Sequence, residues 1–337
     1  MNDKNKEILK AFYNQTEKII PVSFWHHFAK NEFKDATKYP GVIKENLNGL
    51  KNYLKTVNPD FVKLMSDGFF IYPFLGAKDK SQLKSYTNLK TLPDSHPWFT
   101  LQKKLIDQQH KLTQNKLTFY NIFSPLTMLK YSLIDHNKEP LAAGDRKLAD
   151  FYEQDRRLLK EILLKLAIDI KKQVDIAISS GINGIYYSTQ TVQDQRTQNK
   201  TFFENIQKPI DLDIISEINK KSTLNILHIC GFAGAYNNLK WFKNYPLQII
   251  NWSTKTDNYS LEAGKRLFSE KPVLGGFGNE KKDLLYSGNK AEIQNETRRL
   301  IAKAGKKGVI LGADCTIPKD TPLEHIKWIQ ETAHNIS

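Results

Sequence analysis

The stretch TLNILHICG, Thr223–Gly231, is an apolar run rich in Leu and Ile that a glycine closes. Its length and its glycine end suit one buried strand. Seven further runs read the same way: IIPVSFW (Ile19–Trp25), FVKLMSDG (Phe61–Gly68), TFYNIFS (Thr118–Ser124), GINGIYYS (Gly181–Ser188), LQIINWS (Leu247–Ser253), PVLGGFG (Pro272–Gly278) and GVILGADC (Gly308–Cys315). Most are separated by long Lys/Glu-rich segments with apolar residues at helical spacing. Asp155–Gly181 is the clearest, and it stops at a glycine suited to the position after a helix end. Strands that each lead into helical pattern predict an α/β chain folded as a single (β/α)8 TIM barrel over residues 1–337. Extra helical material precedes the first run, with residues 1–18 as an N-terminal helical extension. A doubly wound open sheet is the competing fold. It would favour a Gly-rich phosphate loop after a strand. The glycines of LGGFGNE (Leu274–Glu280) instead sit inside and at the end of a run.

The composition, 40% hydrophobic and 26% charged over 337 residues, is that of a globular protein with a sizeable core. No stretch approaches the roughly 18 consecutive apolar residues of a membrane span. The first twenty residues are polar and helix-patterned rather than signal-like, so a cytoplasmic protein with no membrane partner is expected. The net charge of +14 raises the question of a polyanion partner. However, only 7 of the 50 basic residues are Arg, the side chain suited to phosphate and base-edge recognition. The lysines are scattered along the chain and no nucleic-acid motif accompanies them, so no nucleic-acid partner is expected.

Two cysteines in a reducing compartment are free thiols or ligands rather than a disulfide. Cys230 follows His228 by two residues at the end of one run, and Cys315 closes another. In a barrel the C-terminal strand ends carry function, and residues two apart on a strand share a face. His228, Cys230 and Cys315 can therefore converge. One imidazole and two thiolates suit Zn²⁺ and leave its fourth position open for a substrate thiol. The alternative at this point is three ordinary strand-end side chains, since Cys is common in cores. Of Tyr186 and Tyr187, alternation brings one to the barrel mouth; Tyr187 is the candidate for substrate binding. Asp314 could support a ligand from behind or cap the turn that follows.

The segments HICG, PVLGGFGNE, AKAGKKGVILGADCTIP and TPLEHI together resemble the uroporphyrinogen decarboxylase superfamily, most strongly over Gly181–Trp328. That superfamily includes porphyrinogen decarboxylases and zinc-dependent methyltransferases that move a methyl group from a corrinoid protein to a thiol. The resemblance implies a TIM barrel. Through SDGFFIYPFLG it implies a catalytic Asp67, and through SPLTMLKY an active-site Tyr131. The loop FWHHFAKNEF places His26, His27 and Lys30 where the decarboxylases bind substrate carboxylates with arginines, and no Arg precedes Arg146. His228, Cys230 and Cys315 match the His-x-Cys and later Cys of the methyltransferase zinc site. The expected enzyme is accordingly a zinc-dependent methyltransferase, with Zn²⁺ as cofactor and a corrinoid methyl donor on a partner protein. Its other partner is a small-molecule thiol. The alternatives are a porphyrinogen decarboxylase acting on a tetrapyrrole through Asp67, with the homodimer typical of that branch, and a non-catalytic corrinoid- or tetrapyrrole-binding barrel.

Overall fold

Seven of the eight runs form strands in the computed structural model, which describes residues 3–15, 18–113 and 116–335. They are β1 (Phe61–Leu64), β2 (Leu117–Phe123), β3 (Gly184–Thr189), β4 (Ile226–Ile229), β5 (Ile249–Trp252), β6 (Val273–Phe277) and β7 (Val309–Ala313). All neighbours pair in parallel, and the order in the sheet is the order in the chain.

The expected first strand, Ile19–Trp25, makes only one bridge, Val22 to Leu311. Ser23 N–H donates to Leu311 O at 3.0 Å and Leu311 N–H to Pro21 O at 2.8 Å. On the other side Asp60 N–H donates to Val22 O at 3.1 Å, and Ser23 Oγ to Phe61 O at 2.7 Å. The segment thus lies between β7 and β1 as a bonded filler. Two features stop it from forming a ladder. Pro21 has no N–H, and the N–H of Val22 is taken by the Asp60 carboxylate at 2.7 Å. The eight-stranded expectation is corrected to a curled seven-stranded parallel sheet, consistent with a TIM-like barrel, whose first and last strands both bond this extended segment.

Alternation along the strands separates two buried layers. Phe61, Phe119, Tyr186, Ile226, Ile249, Leu274 and Ile310 form an interior cluster with Ile8 and Phe12 of the helix Asp3–Phe12. Phe12 meets Phe61 edge-on at 5.2 Å and stacks on Phe119 at 5.4 Å, so the N-terminal helix plugs the interior from below. The opposite strand faces pack on the helices that follow them. The helix Arg156–Ser179 shows why: its buried stripe is Leu159, Ile162, Leu163, Leu166, Ile170 and Val174. Asp155 caps its start by accepting the Leu158 N–H, and Gly181 leaves its end at φ 86°. Between β4 and β5 the described connection holds only the short turns Phe232–Gly234 and Leu239–Phe242 rather than an α-helix. Among the described residues no helix is long and apolar enough to cross a membrane.

Candidate metal centre

His228 lies on the interior face of β4, paired in register with Ser188 on one side and Asn251 on the other. Cys230 follows just beyond the strand end, and its backbone is clamped. Its N–H donates to Thr189 O at 2.8 Å, and its carbonyl accepts from Gln190 Nε2 at 3.0 Å and Asn237 Nδ2 at 3.1 Å. The next residue must be small, because a Cβ at Gly231 would meet Ser253 Cβ at 2.4 Å. Cys315 sits two residues past the end of β7, and both cysteines are free.

All three side chains are buried, and their ligand atoms lie within 4.8 Å of one another. Cys230 Sγ is 3.8 Å from Cys315 Sγ, and Cys315 Sγ is 3.5 Å from His228 Nε2. Tetrahedral zinc with ordinary bond lengths places two sulfurs about 3.8 Å apart and sulfur and imidazole nitrogen about 3.6 Å apart. The two edges at Cys315 match these lengths, the third lies within 4.8 Å, and the donor set of one imidazole and two thiols suits this ion. The other imidazole nitrogen, Nδ1, is buried without a hydrogen-bond partner among the described residues. Packing against Tyr186 holds the ring instead, at 5.1 Å and a 34° tilt. Without a metal, the thiols of Cys230 and Cys315 share a hydrogen bond. That bond, with His228 and Lys63 nearby, holds Cys315 well below the ordinary thiol range, while it and burial push Cys230 up.

Two cavities meet above this centre. An inner chamber of about 30 Å³ is bounded by His228, Cys230, Cys315, Lys63, Tyr131 and Phe70, among others. An outer cleft of about 550 Å³ runs over the ends of β4 to β7, along Gly231, Ser253, Lys255, Gly278, Asp283 and Asp314. His27, Phe232 and Thr316 border both, forming the partition between them.

The structure divides the other expected site residues. His27 lines both cavities, and its Nδ1–H donates to Asp67 Oδ1 at 2.8 Å. Asp67 itself stands behind His27, fully buried, with Oδ2 accepting Phe28 N–H at 2.8 Å and Ala29 N–H at 3.0 Å. Burial pushes its carboxyl up, but the His27 charge and these hydrogen bonds outweigh that and hold it below its usual range. Tyr131 is a buried wall of the inner chamber, set edge-on to Phe33 at 5.4 Å and Phe123 at 5.6 Å. Asp314 receives the Thr254 hydroxyl at 3.0 and 2.8 Å and steadies the loop after β5. Burial, partly opposed by those bonds, pushes it up to about 7.

Three expectations need correcting. His26 turns away from both cavities: its Nδ1 meets His27 O at 2.9 Å and its ring packs on Phe28 and Tyr53. Lys30 is exposed and borders neither cavity; only its backbone carbonyl, with that of Ala29, is engaged, accepting from Lys319 Nζ at 3.1 and 2.6 Å. Tyr187 faces outward, where its hydroxyl donates to Asp211 at 2.7 Å; the inward tyrosine is Tyr186, bonded to Asn251 at 2.6 Å.

Sequence reasoning missed Lys63. It is 6% exposed, faces inward between Phe61 and Met65, and lies 4.0 Å from the Tyr186 ring and 5.0 Å from the Trp25 ring. Burial pushes its ammonium down to about 8 against the pull of Cys315, Cys230 and Asp67. A signal existed: both faces of a barrel strand are buried, so a Lys inside such a run has no route to water.

Residues 140–336 match the family described as Uroporphyrinogen decarboxylase (URO-D). No curated protein sequence matches the chain. Among solved structures, a methyltransferase from Methanosarcina mazei is similar at 14% identity, covering 98% of each chain with a TM-score of 0.68. A B12-independent methionine synthase from Shewanella sp. W3-18-1, solved with selenomethionine, is similar at 12% identity, covering 94% of this chain and 97% of that one with a TM-score of 0.56. A β-1,4-D-mannanase from Cryptopygus antarcticus reaches a TM-score of 0.52 at 11% identity, covering 94% of this chain and 90% of that one. At such identities these likenesses speak for the barrel-type fold, and chemistry has to be argued from the site.

Proposed function

The chain belongs to the uroporphyrinogen decarboxylase family, and from that premise we propose that it is a zinc-dependent methyltransferase that passes a methyl group from a corrinoid donor to a thiol. The observation that carries this reading is the convergence of His228, Cys230 and Cys315, whose ligand atoms all lie within 4.8 Å of one another, with the two edges at Cys315 matching those of a tetrahedral zinc site. Bound by these three residues, Zn²⁺ would supply the Lewis acidity that turns a substrate thiol into a thiolate at neutral pH.

The remaining work falls to the chain itself. His27 borders the chamber where the thiol would sit, and its Nδ1 is committed to Asp67. Its second ring nitrogen is the one left to take the thiol proton, while Asp67 fixes the tautomer and stabilises the imidazolium. The sulfur electron pair forms the new bond to the methyl carbon, and the pair of the breaking bond stays with the corrinoid. The outer cleft gives the donor, carried on a separate protein, its approach to the partition formed by His27, Phe232 and Thr316.

Tetrapyrrole decarboxylation finds less support. Asp67, the residue that reading relies on, stands buried behind His27 and is already bonded through both oxygens.

The test is methyl transfer from methylcobalamin to small thiols, followed by mass spectrometry, for wild type and Cys315→Ala. Loss of one ligand should lower transfer at least about 100-fold, beyond the roughly 10–100-fold effect of groups behind a ligand. Transfer that survives in the variant would overturn the proposal.

A further inference from the structure

The helix Arg156–Ser179 lies on the outer layer, and its solvent side is not polar throughout. Among the described residues six large apolar side chains stand exposed, and only Leu164 and Ile168 share a helix, at 43% and 48% exposure. Scattered singly, such residues are ordinary. These two are one turn apart and form a continuous apolar patch. The same face continues through Glu161 and Arg157 toward the start of the helix, and through Lys171 and Asp175 toward its end. The spacing along Arg157, Glu161, Leu164, Ile168, Lys171 and Asp175 alternates four and three. That is the repeat by which two helices lie side by side in a shallow left-handed crossing. None of these residues borders the inner chamber or the outer cleft.

The order of the charges identifies what covers this face. A second copy turned end for end, about a two-fold axis between Leu164 and Ile168, brings Leu164 of each copy onto Ile168 of the other. One step outward, Glu161 falls opposite Lys171, and at the ends Arg157 falls opposite Asp175. Every opposition is apolar on apolar or acid on base, and symmetry repeats each one. A parallel pairing would set every charge against its own kind. Lys165, beside the axis, is turned aside, because its ammonium donates to the Leu89 carbonyl. The facing charges are held only by solvent-accessible partners: Arg157 by Glu161 at 3.1 Å, Lys171 by Asp213 at 2.7 Å and Asp175 by Lys221 at 2.8 Å. Such surface pairs are worth little and are readily shared.

We propose that the exposed face of the helix Arg156–Ser179 is the interface of a two-fold dimer of this chain, in which the two copies of the helix pack antiparallel with Leu164 on Ile168 and Arg157 on Asp175. The seam from Arg157 to Asp175 is roughly 27 Å long at 1.5 Å per residue. Its apolar centre is small and its ion pairs lie at the rim, so the dimer is a weak one, with a Kd on the order of 100 µM or tighter. The proposal is independent of the reaction, since the face shares no residue with the metal centre or the two cavities above it.

The test is sedimentation velocity of the full chain at low salt, where surface charges are least screened, from about 5 to about 500 µM. Wild type should pass from monomer toward dimer over that range. Arg157→Glu sets acid against Asp175, and Asp175→Arg sets base against Arg157. Each variant alone should self-associate at least about tenfold more weakly, because symmetry repeats the repulsion. In an equimolar mixture of the two variants both end contacts become acid on base again, so dimer should return to near the wild-type level. Misfolded chains could not restore it, which separates loss of the contact from loss of the fold. Leu164→Asp should stay monomeric throughout. A monomeric wild type at every concentration, a dimer that the single variants keep, or a mixture that fails to associate would overturn the proposal.

Discussion

The Asp67 carboxylate accepts two backbone N–H groups and the Nδ1–H of His27, so one side chain fixes both the path of the loop at Phe28–Ala29 and the orientation of the imidazole. Removing the base and removing its orienting partner should therefore damage the same step. His27→Gln should lower kcat for thiol methylation by about 10²-fold or more, the usual contribution of a general base. Asp67→Asn should lower it as well by presenting an amide N–H to Nδ1 and forcing the wrong tautomer. Zinc content should stay unchanged in both variants, and normal rates in either would remove the dyad from the mechanism. At this scale the convergence of His228, Cys230 and Cys315 was readable in the sequence, because a two-residue spacing on a strand defines a shared face and strand ends define the barrel mouth. The choice between Tyr186 and Tyr187 was not. It depends on the register of β3 on β4, which is pinned by a close approach: a Cβ at Gly184 would fall 1.6 Å from Leu224 O. No local residue pattern marks that contact. Lys63 was hidden differently, behind the habit of assigning a strand lysine to solvent.

Strand β3 and the helix Lys208–Lys221 are joined by a buried polar cluster in which Asp211 accepts the hydroxyls of Tyr187 at 2.7 Å, Thr189 at 2.9 Å and Tyr245 at 2.9 Å. Burial pushes this carboxyl up to about 6, even though its donors pull the other way. The folded state thus holds a proton that the unfolded chain releases near pH 4. The Asp211 contribution to stability is fully present below about pH 4 and is lost as the pH rises to about 6, a change of up to about 3 kcal/mol. Denaturant unfolding at pH 4.5, 5.5 and 6.5 should show that decline in wild type, and Asp211→Asn should flatten it; a slope equal in both would contradict the assignment. Elements with long periodic patterns, such as Arg156–Ser179, were legible because their apolar stripe and caps agree. Ile19–Trp25 was not legible as a non-strand. Its composition is that of a strand, and only Pro21 and the distant Asp60 carboxylate deny it a ladder.

Across the whole molecule, the helix Asp3–Phe12 closes the lower end of the curled sheet, and the loops after β4 to β7 form the cleft at the upper end. Strand count and parallel order could be approached from the alternation of runs and helices alone. The two-cavity arrangement could not, because it is made by side chains that meet from six separate parts of the chain: His27, Lys63, Tyr131, Ser188, His228 with Phe232, and Cys315 with Thr316. We propose this convergence as a metal centre. The direct measurement is zinc content by plasma mass spectrometry on protein purified without chelator, wild type beside Cys315→Ala. About one zinc per wild-type chain is expected, and its loss in the variant, since three protein ligands would define the site. Wild-type protein without zinc, or zinc that persists in the variant, would contradict it and return His228, Cys230 and Cys315 to ordinary residues at strand ends.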